Sequence, residues 1–152
     1  MSRLTIILTI CLISTANVGC LGNIFEQNDD GDDTIETGLT KQCINYDDKE
    51  RCWLLLVPEN LSVNNRTPLV IDMHGIGGNM YLQYNLTRFA NISEEYGVYI
   101  AYPQGYDNEW NMADEICCGD DDDFGFILEM IKTISQKYII DESRIYSTGW
   151  SN

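Results

Sequence analysis

Gly149-Trp150-Ser151-Asn152 is the short stretch of this chain whose residue types and spacing suit covalent chemistry. It fills four of the five positions of G-x-S-x-G, the motif that sets a serine on a tight strand-to-helix turn for nucleophilic attack. Its glycines let the strained backbone pass. A bare G-x-S arises by chance about once in 150 residues at ordinary glycine and serine frequencies. The weight therefore rests on the elements that would position Ser151.

Those elements alternate. Trp53 to Val57 is an apolar run closed by Pro58, and Pro68 to Met73 is a continuous apolar strand running into His74-Gly75-Ile76-Gly77-Gly78. Tyr84 to Tyr96 carries Leu86, Phe89, Ala90 and Tyr96 at helical spacing, and Val98 to Tyr102 is a further buried strand stopped by Pro103. Asp123 to Tyr138 places Phe124, Ile127, Leu128, Ile131 and Ile134 on one helical face, with Asp123 as N-cap. Ile145 to Thr148, β-branched and aromatic, reads as a short buried strand. Strands that are apolar throughout and alternate with helices predict an α/β fold, a mostly parallel sheet covered by helices on both faces. Sites in such sheets lie at the carboxyl ends of the strands. Both the glycine-rich stretch and Ser151 fall at such ends.

Of the 152 residues, 1–20 have the layout of a secretory signal: Arg3, an apolar run from Leu4 to Ile13, then small residues. Gly19-Cys20 also resembles a lipoprotein cleavage box, in which Cys20 becomes the lipidated first residue. Asn17 stands where leucine is usual there, and simple secretion is the alternative. Residues 21–40 are acidic and polar and read as a disordered linker. The domain is expected over 41–152. A net charge of −15 without a basic stripe argues against nucleic acid as a partner.

In an oxidising compartment Cys43, Cys52, Cys117 and Cys118 are expected to form disulfides. Cys43 to Cys52 reads as a hairpin turning at Asp47-Asp48, which sets the two cysteines opposite each other at a non-hydrogen-bonded pair. The competing pairings join each to Cys117, Cys118 or a cysteine outside this sequence. Glycosylation-type sequons at Asn60, Asn65, Asn85 and Asn91 fit an exported surface. The Asp120–Asp123 run lacks the spaced oxygen ligands of a calcium loop and is assigned to helix capping. The glycine-rich stretch lacks the spacing of a dinucleotide fingerprint, and no metal or cofactor site is expected.

Taken in order, "PLVIDMHGIGGN", "GVYIAYPQG", "EWN" with "CCGDDDDFGFI", and "YIIDESRIYSTGWSN" resemble the α/β-hydrolase fold. Within it they are similar to the secreted polyhydroxybutyrate depolymerase and feruloyl esterase group, over Trp53 to Asn152. The resemblance implies a serine ester hydrolase, acting on polyester or on esters of plant or algal polysaccharide. It would be secreted or held at a membrane surface by lipid on Cys20. It implies Ser151 as nucleophile, with the N–H groups of Ile76 and Asn152 as the oxyanion hole. In that fold the triad runs serine, acid, histidine, so acid and base are expected after Ser151, and the chain is expected to be the front half of the domain, inactive alone. His74, the only histidine, is then not the base but a group that orients the oxyanion loop or satisfies a local hydrogen bond. Trp110 and Asn111 are assigned either to the acyl pocket or to loop packing. Two rival readings stand beside this one: a serine peptidase of the same fold, and a non-catalytic surface lipoprotein that keeps the fold for binding.

Overall fold

The structure, a computed structural model, describes residues 36–61, 65–111 and 119–152. Cys20, Cys117, Cys118 and the expected signal lie outside these residues. Strands β1 (Gly38–Tyr46) and β2 (Lys49–Val57) form a hairpin in which Cys43 faces Cys52 and Tyr46 faces Lys49. Asp47 and Asp48, the two turn residues, have φ of 52° and 57°. Two positive φ values make the type I′ turn, whose twist matches that of the flanking strands. β1 takes Gly38 to Thr40 from the segment that composition assigns to the linker.

β3 (Thr67–Met73), β4 (Tyr99–Pro103) and β5 (Ile140–Gly149) complete one five-stranded sheet of order β1-β2-β4-β3-β5. β4 pairs with β3 and β3 with β5 in parallel, but β1–β2 and β2–β4 are antiparallel. The sheet is thus mixed rather than mostly parallel. For β1–β2 the reason is local: a two-residue turn can only return the chain antiparallel, whereas parallel neighbours need a crossover.

Side chains alternate across the sheet. Trp53, Leu55, Val57, Leu69, Ile71, Tyr99 and Ala101 pack with Phe126, Met130 and Ile134 of α3 (Asp123–Lys137). Leu54, Leu56, Ile100 and Tyr102 face the other way, onto Met80, Tyr84, Phe89 and Ala90. Burial on both faces is why these strands read as unbroken apolar runs. The second face is covered by two helices, α1 (Met80–Thr87) and α2 (Ala90–Tyr96), not by the single helix expected over Tyr84 to Tyr96. Arg88 adopts a left-handed conformation, φ 54°, and ends α1. Asn79 starts α1 earlier than its apolar spacing suggests, its Oδ1 accepting from the N–H groups of Tyr81 and Leu82.

α3 is also rotated from its expected face. Phe126, Met130 and Ile134 are buried, with Ile127 and Ile131 half-buried, while Phe124 and Leu128 stay 76% and 51% exposed. The N-cap is Asp122, whose Oδ1 accepts from Gly125 N–H, so Asp123 lies inside the helix. Asp123 is buried and meets the buried Arg51 guanidinium at 2.5 Å. Arg51 lies over the Phe126 ring at 4.1 Å. Pointing Asp123 at β2 turns Phe126 inward and Phe124 outward. On either side of this pair, Tyr46 donates to Asp122 at 2.6 Å and Lys49 pairs with Asp121. The aspartate run is therefore a seam between hairpin and helix as well as a cap.

Asp123→Ala leaves the Arg51 cation buried without its anion, a change expected to cost about 3–5 kcal/mol. Urea unfolding of Asp123→Ala beside the double replacement Arg51→Met/Asp123→Leu checks this. The double variant is expected to retain most of the stability, and equal losses in both would contradict it.

Candidate active site

β3 and β5 run in step from Leu69 opposite Ile145 to Met73 opposite Gly149, so their carboxyl ends arrive side by side. The ladder ends with Trp150 N–H donating to the Met73 carbonyl at 3.4 Å. The next residue, Ser151, is exposed and left-handed, φ 60°. That region costs a non-glycine residue about 1–2 kcal/mol, and such strain collects where a turn presents a side chain for use. Both flanking glycines answer to contact. A Cβ on Gly149 would stand 2.9 Å from the Met73 carbonyl oxygen, and one on Gly75 would stand 2.7 Å from that of Trp150. The same point at Gly75 is 3.4 Å from the Asn152 carbonyl oxygen, so the loop after β3 lies against the turn that carries Ser151.

Loop 74–79 is held from below by residues that follow β4. Gly105 N–H donates to His74 Nε2 at 3.0 Å, and Gly77 N–H donates to the Asn108 carbonyl at 2.8 Å. Gln104 accepts from Met80 N–H through Oε1 and donates through Nε2 to the Gly105 carbonyl. His74 is buried, and its Nδ1 donates to the Gly75 carbonyl at 2.8 Å. One ring nitrogen must accept and the other must donate, which fixes the neutral imidazole in one tautomer. Burial pushes the His74 pKa below the usual histidine range, against a smaller raising effect of the Gly75 carbonyl. His74 thus sits in the loop as a neutral hydrogen-bonding group.

Trp110 lies between this loop and the serine turn. Its indole N–H donates to the His74 carbonyl at 2.7 Å, and the two rings are 5.1 Å apart. The Asn152 side chain grips the main chain of Trp110 twice: Oδ1 accepts from its N–H at 3.1 Å and Nδ2 donates to its carbonyl at 2.9 Å. Next to it, Asn111 N–H donates to Asp123 Oδ2 at 2.7 Å. Ile76 is exposed, and among the described residues neither its N–H nor that of Asn152 makes a hydrogen bond.

The structure brings Ser151, Ile76 and Asn152 to one end of the sheet. Cys43 and Cys52 are disulfide-bonded across the hairpin, Cα atoms 4.0 Å apart, at the opposite edge of the sheet from β5. With 9% of its surface exposed, Trp110 packs rather than lines an open pocket. Its double link to Asn152, and the support from Gln104 and Asn108, are contacts that sequence reasoning missed. The usable signal was position, since Gln104 to Trp110 follow the carboxyl end of β4. β5, expected to be buried, pairs only with β3 among the described residues and leaves Tyr146 56% exposed. An apolar cleft of about 350 Å³ lies on the α1–α2 side of β5, lined in part by Leu86, Phe89, Thr148 and Trp150. Gly149 and Trp150 line it, and Ser151 does not.

No family model matches the chain. It is 30% identical over 98 residues to a feruloyl esterase B of Piromyces equi, an alignment covering 62% of this chain and 18% of that protein. It is 29% identical over 100 residues to a feruloyl esterase B of Neurospora crassa, covering 63% of this chain and 34% of that protein. The chain therefore spans about a third or less of the length of these curated relatives. Among solved structures it is similar to a thermostable esterase, with TM-score 0.59 and 22% identity over 74% of this chain and 34% of that one. It is also similar to an acetyl xylan esterase from Aspergillus awamori, with TM-score 0.54 and 21% identity over 72% of this chain and 42% of that one. These likenesses show the fold: five strands of mixed sheet with helices on both faces, in an α/β-hydrolase arrangement.

Proposed function

We propose that the protein is a serine carboxylic-ester hydrolase with Ser151 as nucleophile. The observation that carries this reading is the left-handed Ser151 at the end of β5, packed against a glycine loop with two nearby N–H groups unspent. Ser151 Oγ attacks the ester carbonyl, and the negative charge that develops on its oxygen is received by the N–H groups of Ile76 and Asn152. The alcohol leaves, and water hydrolyses the acyl-serine. Each donor of such a hole is worth roughly a hundredfold to a thousandfold in rate.

The base that takes the serine proton is not His74, whose two nitrogens are already committed to Gly105 and Gly75. As His74 is the only histidine in the sequence, the reading assigns base and acid to sequence following Asn152. The name of both curated relatives, feruloyl esterase B, favours feruloyl-type esters over polyester as the substrate class. Export, with cleavage near Cys20, belongs to the same reading and rests on residues 1–20. Among the described residues no helix is long and apolar enough to cross a membrane.

The test is hydrolysis of a nitrophenyl acetate and a methyl hydroxycinnamate by the protein expressed from its complete reading frame. Ser151→Ala is expected to lower kcat by more than about a thousandfold, and residues 1–152 alone to turn over neither ester. Activity indifferent to Ser151→Ala would sink the hydrolase reading and favour a binding protein. The His74 assignment is checked by stability against pH. A histidine whose folded pKa is lowered contributes its full stability above the unfolded value of about 6.5 and loses it as pH falls below that. Urea unfolding from pH 7.5 to 5 should therefore show a decline in the parent that His74→Gln lessens. Parallel curves would show that His74 is not held neutral. For export, mass spectrometry of the mature protein should find an N-terminus at or close to Cys20, and an intact Met1 would exclude it.

A further inference from the structure

We propose that Trp110 is a positioning residue that sets both oxyanion donors at once, an inference that rests on the ester-hydrolase reading of Ser151. The two donors come from different strand ends: Ile76 follows β3 and Asn152 follows β5. An oxyanion hole works only when its donors are held within about half an ångström of the productive geometry. Two independent loops would not hold that tolerance, so something must register one against the other.

Trp110 touches both. Its indole N–H holds the His74 carbonyl at 2.7 Å, fixing the peptide that precedes Gly75-Ile76. Its main-chain N–H and carbonyl are both taken by the Asn152 side chain, at 3.1 and 2.9 Å. That two-point grip fixes the Asn152 side-chain amide against Trp110 and so restrains the main chain that carries the Asn152 N–H. The anchor itself is rigid. Trp110 belongs to the core cluster with Trp53 and Phe126, and the adjoining Asn111 N–H is bound to Asp123, which pairs with buried Arg51. With 9% exposure the indole has little face left for substrate, which separates this role from pocket lining.

Trp110→Phe isolates the role, because it keeps the aromatic packing and both main-chain bonds to Asn152 and removes only the indole donor. In the protein expressed from its complete reading frame, we expect Trp110→Phe to lower kcat about tenfold to a hundredfold, below the loss of a whole donor, with KM within about twofold. Affinity for an alkylboronic acid, whose tetrahedral serine adduct uses the hole, should fall in parallel, while affinity for the product carboxylate holds. Asn152→Ala, which keeps its own N–H, should give the same split. The double variant should lose less than the product of the two single losses, since both act through one clamp. Independent, multiplicative losses, an effect on KM alone, or kcat and boronate affinity kept in Trp110→Phe would each overturn the proposal. Should Trp110→Phe fail to fold, the Asn152→Ala split decides alone. Parent activity that ignores Ser151→Ala removes the hydrolase reading, and this inference with it, before any Trp110 variant is made.

Discussion

The loop after β3 and the turn after β5 approach so closely that the space between them is smaller than a methyl group. A Cβ at Gly75 would meet the Trp150 carbonyl oxygen at 2.7 Å. Everything at the carboxyl end of the sheet follows from that distance. It requires glycine at 75, and it requires β3 and β5 to end in step, as Met73 and Gly149 do. Ser151, next in the chain after Trp150, takes the left-handed region. Backbone contact of this kind is not adjustable by rotamers, so it fixes how closely the loop and the turn approach, while their relative orientation depends on what ties them together.

Rigidity at that end is supplied from the other side of the sheet. The β1–β2 hairpin contributes Tyr46, Lys49 and Arg51, which meet Asp122, Asp121 and Asp123 at the start of α3. The exposed members of this seam add little, because solvent screens them. The Arg51–Asp123 pair differs in being buried, and Asp123 spends its second oxygen on Asn111 N–H. A buried pair of this kind fixes geometry more than it adds stability. Here the geometry it fixes is the segment through Trp110, and hence the space between Ser151 and the glycine loop. The disulfide between Cys43 and Cys52 secures the same hairpin at its outer edge.

What the sequence made legible follows the range of the interactions involved. The hairpin about Asp47-Asp48, the apolar strands and the helix over Asp123–Lys137 are short-range patterns, and they could be read. The break between α1 and α2 could not, because it depends on Arg88 taking a positive φ without a glycine to announce it. The face of α3 was misread because Phe124 and Leu128 outweigh Asp123 in hydrophobicity. The partner that draws Asp123 inward, Arg51, lies 72 positions away in the chain. At the site, Ser151 and the glycine loop carry motifs, whereas Trp110 and the Asn152 side chain act through hydrogen bonds between segments. Nothing in local residue order encodes those bonds.

The neutral state of His74 completes the logic of the loop. Its Nε2 accepts from Gly105 N–H, so a proton there would set two donors against each other in a buried place. Burial opposes the same proton for a separate reason, the loss of hydration around a cation. Both effects keep the imidazole uncharged near neutral pH, so the loop carrying Ile76 does not change its hydrogen bonding as solvent acidity varies. A histidine that titrated there would place a positive charge beside the proposed oxyanion in one protonation state and not in the other. Held neutral, it leaves the charge developing on substrate to the two main-chain donors, whose strength is independent of pH.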